Sequence, residues 1–128
     1  MDTTRVYIVD DDESVRRGLC RLMRAAGFVP KDYDSPEHFL ADAFERSVPA
    51  CLLLDIAMPR LSGTEVQSRL RAIGAEIPVI VVSARDEDEI RHLARELGAR
   101  FFFRKPVDDQ ALLDAIAWVT ADGEAQEH

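Results

Sequence analysis

Short apolar runs alternate along this chain with longer segments in which apolar residues recur at helical spacing. Ile8-Val9, Leu52–Leu54 and Val79–Val82 are continuous apolar stretches, as expected of strands covered on both faces by helices. Five strands are predicted, at Arg5–Asp10, Val29–Tyr33, Ala50–Asp55, Pro78–Ser83 and Arg100–Arg104. Val29–Tyr33 interleaves polar residues and reads as an edge strand. Val15, Leu19, Leu22, Met23 and Ala26 form a helical stripe, with Gly27 placed to close the helix in the left-handed conformation. On that reading Arg16, Arg17, Arg21 and Arg24 make up its solvated face. Ser35-Pro36 supplies an N-cap and a proline for the first turn of a second helix, whose stripe is Phe39, Leu40, Ala43 and Phe44. Ser62-Gly63-Thr64-Glu65 has capping-box spacing ahead of Val66, Leu70 and Ile73. Asp86 is the expected cap of a fourth helix through Ile90, Leu93, Ala94 and Leu97 that stops at Gly98. Asp108 is the expected cap of a fifth through Leu112, Leu113, Ile116 and Val119.

Strand and helix thus alternate five times, the signature of βα units on a parallel sheet. Right-handed crossovers then predict an α/β doubly wound sandwich, (βα)5, in the flavodoxin-like strand order 2-1-3-4-5. At 128 residues the chain accommodates one domain, about residues 1–120, followed by a polar tail or linker stub at 121–128. Sixteen Lys and Arg against 24 Asp and Glu leave a net charge of −8, which opposes direct contact with nucleic acid or anionic lipid. Cys20 and Cys51 fall in apolar patterns and read as small buried hydrophobes. The chain shows no secretory leader pattern, and its apolar runs are too short to cross a bilayer, so a cytoplasmic location is expected.

In an open α/β sheet, ligands bind outside the carboxyl ends of the strands, where strand order reverses. Those ends carry Asp10-Asp11-Asp12-Glu13 after the first strand, Asp55 after the third, Ser83 at the fourth and Lys105-Pro106 after the fifth. Taken singly, Asp12 or Glu13 could favour the positive end of the first helix, and Asp10 or Asp11 could cap it. Asp55 follows Cys51–Leu54, so its carboxylate stands at the edge of costly desolvation. Clustered carboxylates repel, and a hard divalent cation with oxygen ligands offsets that, which points to a Mg²⁺ site. With a cation, a lysine and a hydroxyl beside a carboxylate nucleophile, the set fits phosphoryl transfer through an aspartyl phosphate. Asp55 is the preferred nucleophile, because Asp10 and Asp11 stand as a pair suited to the metal.

The segments Val6-Tyr7-Ile8-Val9-Asp10-Asp11-Asp12, Leu53-Leu54-Asp55-Ile56-Ala57-Met58-Pro59-Arg60-Leu61-Ser62-Gly63, Val81-Val82-Ser83-Ala84 and Phe102-Phe103-Arg104-Lys105-Pro106 together resemble the receiver domain of two-component response regulators. The likeness covers about residues 5–120 with the motifs in the family's order. It implies that a histidine kinase or histidine phosphotransfer protein donates a phosphoryl group to Asp55. It further implies Mg²⁺, with Mn²⁺ as a substitute, held by Asp10, Asp11, Asp55 and the backbone carbonyl of Ala57, Asp11 being a more direct ligand than Asp10. By the same resemblance Ser83 and Phe102 are the switch residues, Lys105 is the lysine of the site and Pro106 follows a cis peptide bond. The alternative for Phe102 is plain strand packing within Phe101–Phe103, since alternate residues of that run must face a core. Ala57 and Arg85 occupy positions where family members vary, and Ala57 cannot orient an attacking water, so slow loss of the phosphate is expected.

An FMN carrier on the same fold would need a phosphate-cradling loop after the first strand, where this chain is acidic. A phosphatase of the haloacid dehalogenase type would carry a second acid two residues after its nucleophile, where this chain has Ala57. His38, His92 and His128 read as surface residues. The resemblance places the output on the face of the fourth predicted helix, fifth strand and fifth predicted helix. Arg91, Arg95, Arg100 and Arg104 stand there near Asp86, Asp88, Asp108 and Asp109, a mix that suits a phosphorylation-dependent homodimer or another protein partner. The length and the Leu54-Asp55-Ile56-Ala57-Met58-Pro59 pattern resemble receivers of nitrogen-fixation-type transcriptional regulators. The alternative is a receiver-like interaction module that works without phosphorylation.

Overall fold

A computed structural model describes residues 4–42, 49–56, 68–69 and 77–125. Its five strands are β1 Arg5–Val9, β2 Val29–Tyr33, β3 Ala50–Leu54, β4 Val79–Ser83 and β5 Phe101–Arg104. They pair in parallel in the order β2-β1-β3-β4-β5. The register sets Val9 opposite Tyr33 on one side and opposite Leu54 on the other, and Ser83 opposite Arg104. The strand ends next to the site are therefore aligned. β2 is an edge, as expected, and its polar residues Lys31 and Asp32 are exposed.

Side chains alternate across the sheet and form two cores. Val6, Ile8, Cys51, Leu53, Ile80 and Val82 point to a layer made by α1 (Glu13–Ala25) and the last helix, through Cys20, Met23, Leu112, Ile116 and Val119. Tyr7, Val9, Leu52, Leu54, Val79 and Val81 point to the opposite layer, built from α2 (Pro36–Ala41) and α3 (Asp88–Glu96) through Phe39, Ala94 and Leu97. Phe101 and Phe103 pack with the first core and Phe102 with the second. The predicted helix following Ser62, together with Ala43 and Phe44, lies outside the described residues.

Local signals place most of the helix ends. The Ser35 hydroxyl accepts from His38 N–H with Pro36 in the first turn, and Asp108 Oδ2 accepts from Ala111 N–H at the start of α4 (Asp109–Ala125). Gly27 and Gly98 adopt φ of 89° and 74°, the left-handed turn that ends α1 and α3. Two expectations are corrected. Asp86 does not cap α3: Glu87 occupies that position without a side-chain cap bond, while Asp86 faces Arg104 at 3.6 Å. The stripe of α1 is rotated: Cys20 and Met23 are buried, Val15, Leu19 and Leu22 are half-buried, and Ala26 is exposed. The last helix, α4, runs to Ala125.

Candidate functional site

The site grows out of the parallel ladder where the strands stop. Asp10, Asp55 and Lys105 are each the first residue beyond a strand, and each donates its backbone N–H to the last residue of a neighbouring strand. Asp10 donates to Tyr33 O at 3.2 Å, Asp55 to Val9 O at 3.0 Å and Lys105 to Ser83 O at 2.8 Å. Three side chains that meet at the site thus hang from hydrogen bonds that continue the sheet.

Asp10 and Asp55 are buried, at 3% and 8% exposure, while Asp11 is exposed and opens the cluster to solvent. One carboxylate oxygen from each of Asp10, Asp11 and Asp55 lies within 4.8 Å of the others. The Lys105 ammonium reaches into this group, 2.6 Å from Asp10 Oδ2 and 3.2 Å from Asp55 Oδ2. Burial pulls the Lys105 pKa down, but the hydrogen bond to Asp10 and the charges of Asp55 and Asp10 outweigh it, so the ammonium holds its proton above the ordinary lysine value. Three carboxylates around one ammonium leave an excess of negative charge on hard oxygen donors. This donor set fits a divalent cation such as Mg²⁺.

Ser83 is fully buried at the end of β4, between the strands that carry Asp55 and Lys105, and its hydroxyl accepts from Arg85 N–H at 3.0 Å. The Lys105-Pro106 peptide is cis. Phe102 lies half-buried against the second core, and the guanidinium carbon of Arg91 on α3 sits 4.8 Å from its ring centroid, within cation–π range. Arg91 Nε also donates to the Asp86 carbonyl at 3.2 Å, joining Phe102 to the segment after β4. The carbonyl of Ala57 lies outside the described residues. A groove of about 550 Å³ between α1 and α4 runs beside Lys105 and Pro106, lined chiefly by Val15, Leu19, Leu22 and Leu112.

Two residues play parts that sequence reasoning missed. Asp12, and not Asp10 or Asp11, caps α1, its Oδ1 accepting from Ser14 N–H at 2.9 Å and Val15 N–H at 3.3 Å. Arg16, read as part of a solvated face, is largely covered, with 15% of its side chain exposed; its Nη1 donates to the Asp10 carbonyl at 2.8 Å and its Nε to Asp32 Oδ2 at 3.0 Å. Its sequence signal was the i, i+4, i+7 spacing of Arg16, Cys20 and Met23, the line that α1 turns toward the sheet.

A family profile for the response regulator receiver domain matches residues 6–117. This chain belongs to that family. It is 39% identical over 111 residues to the response regulator protein TodT of Pseudomonas putida, an alignment covering 87% of this chain and 48% of TodT. It is 35% identical to the transcriptional regulatory protein FixJ of Azorhizobium caulinodans, over 87% of this chain and 52% of FixJ. Among solved structures, response regulator StyR superposes with a TM-score of 0.83 at 38% identity, covering 98% of this chain and 63% of that one. FixJ-N superposes with a TM-score of 0.79 at 34% identity, covering 94% and 95%. This receiver therefore spans about half the length of the curated relatives it matches. As a receiver it is a phosphoacceptor domain of signalling and not an enzyme turning over a small-molecule substrate. No helix among the described residues is long and apolar enough to cross a membrane.

Proposed function

We propose that this receiver takes a phosphoryl group from a partner's phosphohistidine onto Asp55 in the cytoplasm, with Asp10, Asp11 and Asp55 holding Mg²⁺. The observation that carries this reading is the convergence of three carboxylates within 4.8 Å on one lysine that already touches two of them. An Asp55 carboxylate oxygen attacks phosphorus, the phosphorus–nitrogen bond breaks, and its electron pair leaves on the imidazole nitrogen. A cation held by Asp10, Asp11 and Asp55 would supply positive charge to neutralise the carboxylate and phosphoryl oxygens. Lys105 leaves the Asp55 oxygen to pair with a phosphoryl oxygen, and Asp10 keeps it within reach. The Ser83 hydroxyl donates to another phosphoryl oxygen, its own oxygen still able to accept from the Arg85 N–H.

The negative charge added at Asp55 is the switching signal. Movement of Ser83 toward the phosphate opens room for Phe102 to turn inward, away from the Arg91 guanidinium, and remodels the face of α3, β5 and α4 for a homodimer or another protein partner. Residues 1–120 form the receiver unit. Arg85 is ion-paired to Glu87 at 3.2 Å, and with alanine at position 57 the aspartyl phosphate outlasts seconds. The test is mass spectrometry after incubation with acetyl phosphate, with and without Mg²⁺, on the native chain and Asp55→Asn. A Mg²⁺-dependent phosphate adduct present only in the native chain is expected. Absence of an adduct under every condition would overturn the reading in favour of a phosphorylation-independent interaction module.

A further inference from the structure

Asp10 is held at three points. Lys105 grips its Oδ2, the Asp12 N–H donates to its Oδ1 at 2.9 Å, and Arg16 Nη1 donates to its carbonyl at 2.8 Å. The third contact stands where the sheet gives out. The ladder from β1 to β2 stops when Asp10 donates to Tyr33 O, because the chain of β2 then turns at Ser35-Pro36 into α2. The Asp10 carbonyl, which points past that last rung, takes its hydrogen bond from Arg16 on α1. Asp32 of β2 accepts from Arg16 Nε at 3.0 Å and orients the guanidinium, so the fork spans the edge strand and the turn.

This clamp bears on Asp11 in particular. On one side of Asp11 the peptide oxygen is bound by Arg16; on the other Asp12 is committed as the cap of α1. Asp11 is the exposed acid of the cluster, whereas Asp10 and Asp55 are both gripped by Lys105. We infer that Arg16, oriented by Asp32, is a positioning residue for the metal site: by holding the Asp10 carbonyl it sets the turn that aims Asp11 at the cation shared with Asp10 and Asp55. This rests on the metal-binding reading above. The guanidinium supplies two donors in one rigid plane, which a lysine cannot, so the role is specific to arginine at this position.

The experiment is calorimetric titration of the metal-free, unphosphorylated protein with MgCl₂, with thermal unfolding of the same metal-free samples alongside. Arg16→Met, which keeps the stem and removes the donors, is expected to weaken Mg²⁺ binding about tenfold, the size of effect seen when a group that orients a metal ligand is removed. Arg16→Lys, with one donor left for the carbonyl, falls between Arg16→Met and the native protein, and Asp32→Asn weakens binding less than Arg16→Met. Met23→Ala, on the same face of α1 but touching no site residue's backbone clamp, lowers the unfolding temperature while leaving Mg²⁺ affinity near native. An Arg16→Met protein whose Mg²⁺ affinity is within twofold of native overturns the inference. So does a loss in Met23→Ala equal to that in Arg16→Met, which would make the effect one of general helix stability. If Arg16→Met does not fold, native affinity in both Arg16→Lys and Asp32→Asn overturns it. A native protein that binds no Mg²⁺, or Asp11→Asn binding it as well as native, would instead defeat the metal-site reading itself.

Discussion

Asp55→Asn separates the electrostatic cost of the acidic centre from its chemistry. In the native protein Asp55 faces the Lys105 ammonium at 3.2 Å and two carboxylates whose oxygens lie within 4.8 Å. At an effective dielectric constant of about 20, the attraction amounts to about 5 kcal/mol and each repulsion to about 3.5 kcal/mol. Removing the charge therefore relieves about 7 kcal/mol of repulsion and forfeits about 5 kcal/mol of attraction. Asp11 is exposed, and water screens its share to about 1 kcal/mol, which leaves the charge terms close to balance. The burial of residue 55 then sets the sign, since a neutral amide is cheaper to desolvate than a carboxylate, for an expected net gain of about 1 kcal/mol. In a domain of this size such a gain raises the unfolding midpoint by about 4 °C. The assay is thermal unfolding of native and Asp55→Asn proteins without metal, repeated with Mg²⁺. Without metal Asp55→Asn unfolds at the higher temperature; added Mg²⁺ stabilises the native protein through ligand binding and closes the gap. A metal-free Asp55→Asn protein that is less stable than native by about 1 kcal/mol would show that the lysine's attraction outweighs the repulsion and refute the reasoning.

The same structure sets three further outcomes. Asp12→Ala removes two cap bonds at the start of α1 and is expected to cost about 1 kcal/mol, read as a lowered urea midpoint with an unchanged slope. Leu53→Ala, on the central strand at 2% exposure, leaves a cavity beneath α1 and α4 and is expected to cost about 2–5 kcal/mol by the same assay. Burial pushes the Cys51 thiol from 9.0 up to about 12. The folded state therefore keeps a proton that the unfolded chain releases, so this contribution to stability is complete below pH 9.0 and declines as pH rises from 9.0 toward 12. Urea midpoints measured across pH 9.0 should fall less steeply in Cys51→Ala than in the native protein, and parallel curves would contradict this.

Much of the fold was legible because parallel strands covered on both faces leave a plain trace. Leu52–Leu54 and Val79–Val82 are apolar at every position, since successive side chains enter opposite cores. Helix ends were legible where the signal is local: Ser35-Pro36, Gly27, Gly98 and Asp108 act on N–H groups or φ angles within a turn of themselves. Asp86 misled because its charge is matched by Arg104, a residue of another element, and an ion pair across elements leaves no mark on neighbouring positions.

The candidate site divides along the same line. That Asp10, Asp11, Asp55, Ser83 and Lys105 stand at strand ends follows from strand length alone, and strand order then makes them neighbours. The sequence by itself thus determined which groups share one end of the sheet. Only the tertiary structure decided how they are held. It carries Lys105 to Asp10, 95 residues earlier in the chain, makes Asp12 the cap so that Asp10 and Asp11 are released from that duty, and rotates α1 so that Arg16 faces inward. The physical reason is the helix phase: a stripe of three or four apolar residues leaves the rotation of a helix about its axis free by a residue or so. In α1 the choice went to the face that satisfies a carbonyl beyond the last rung of the sheet as well as burying Cys20 and Met23.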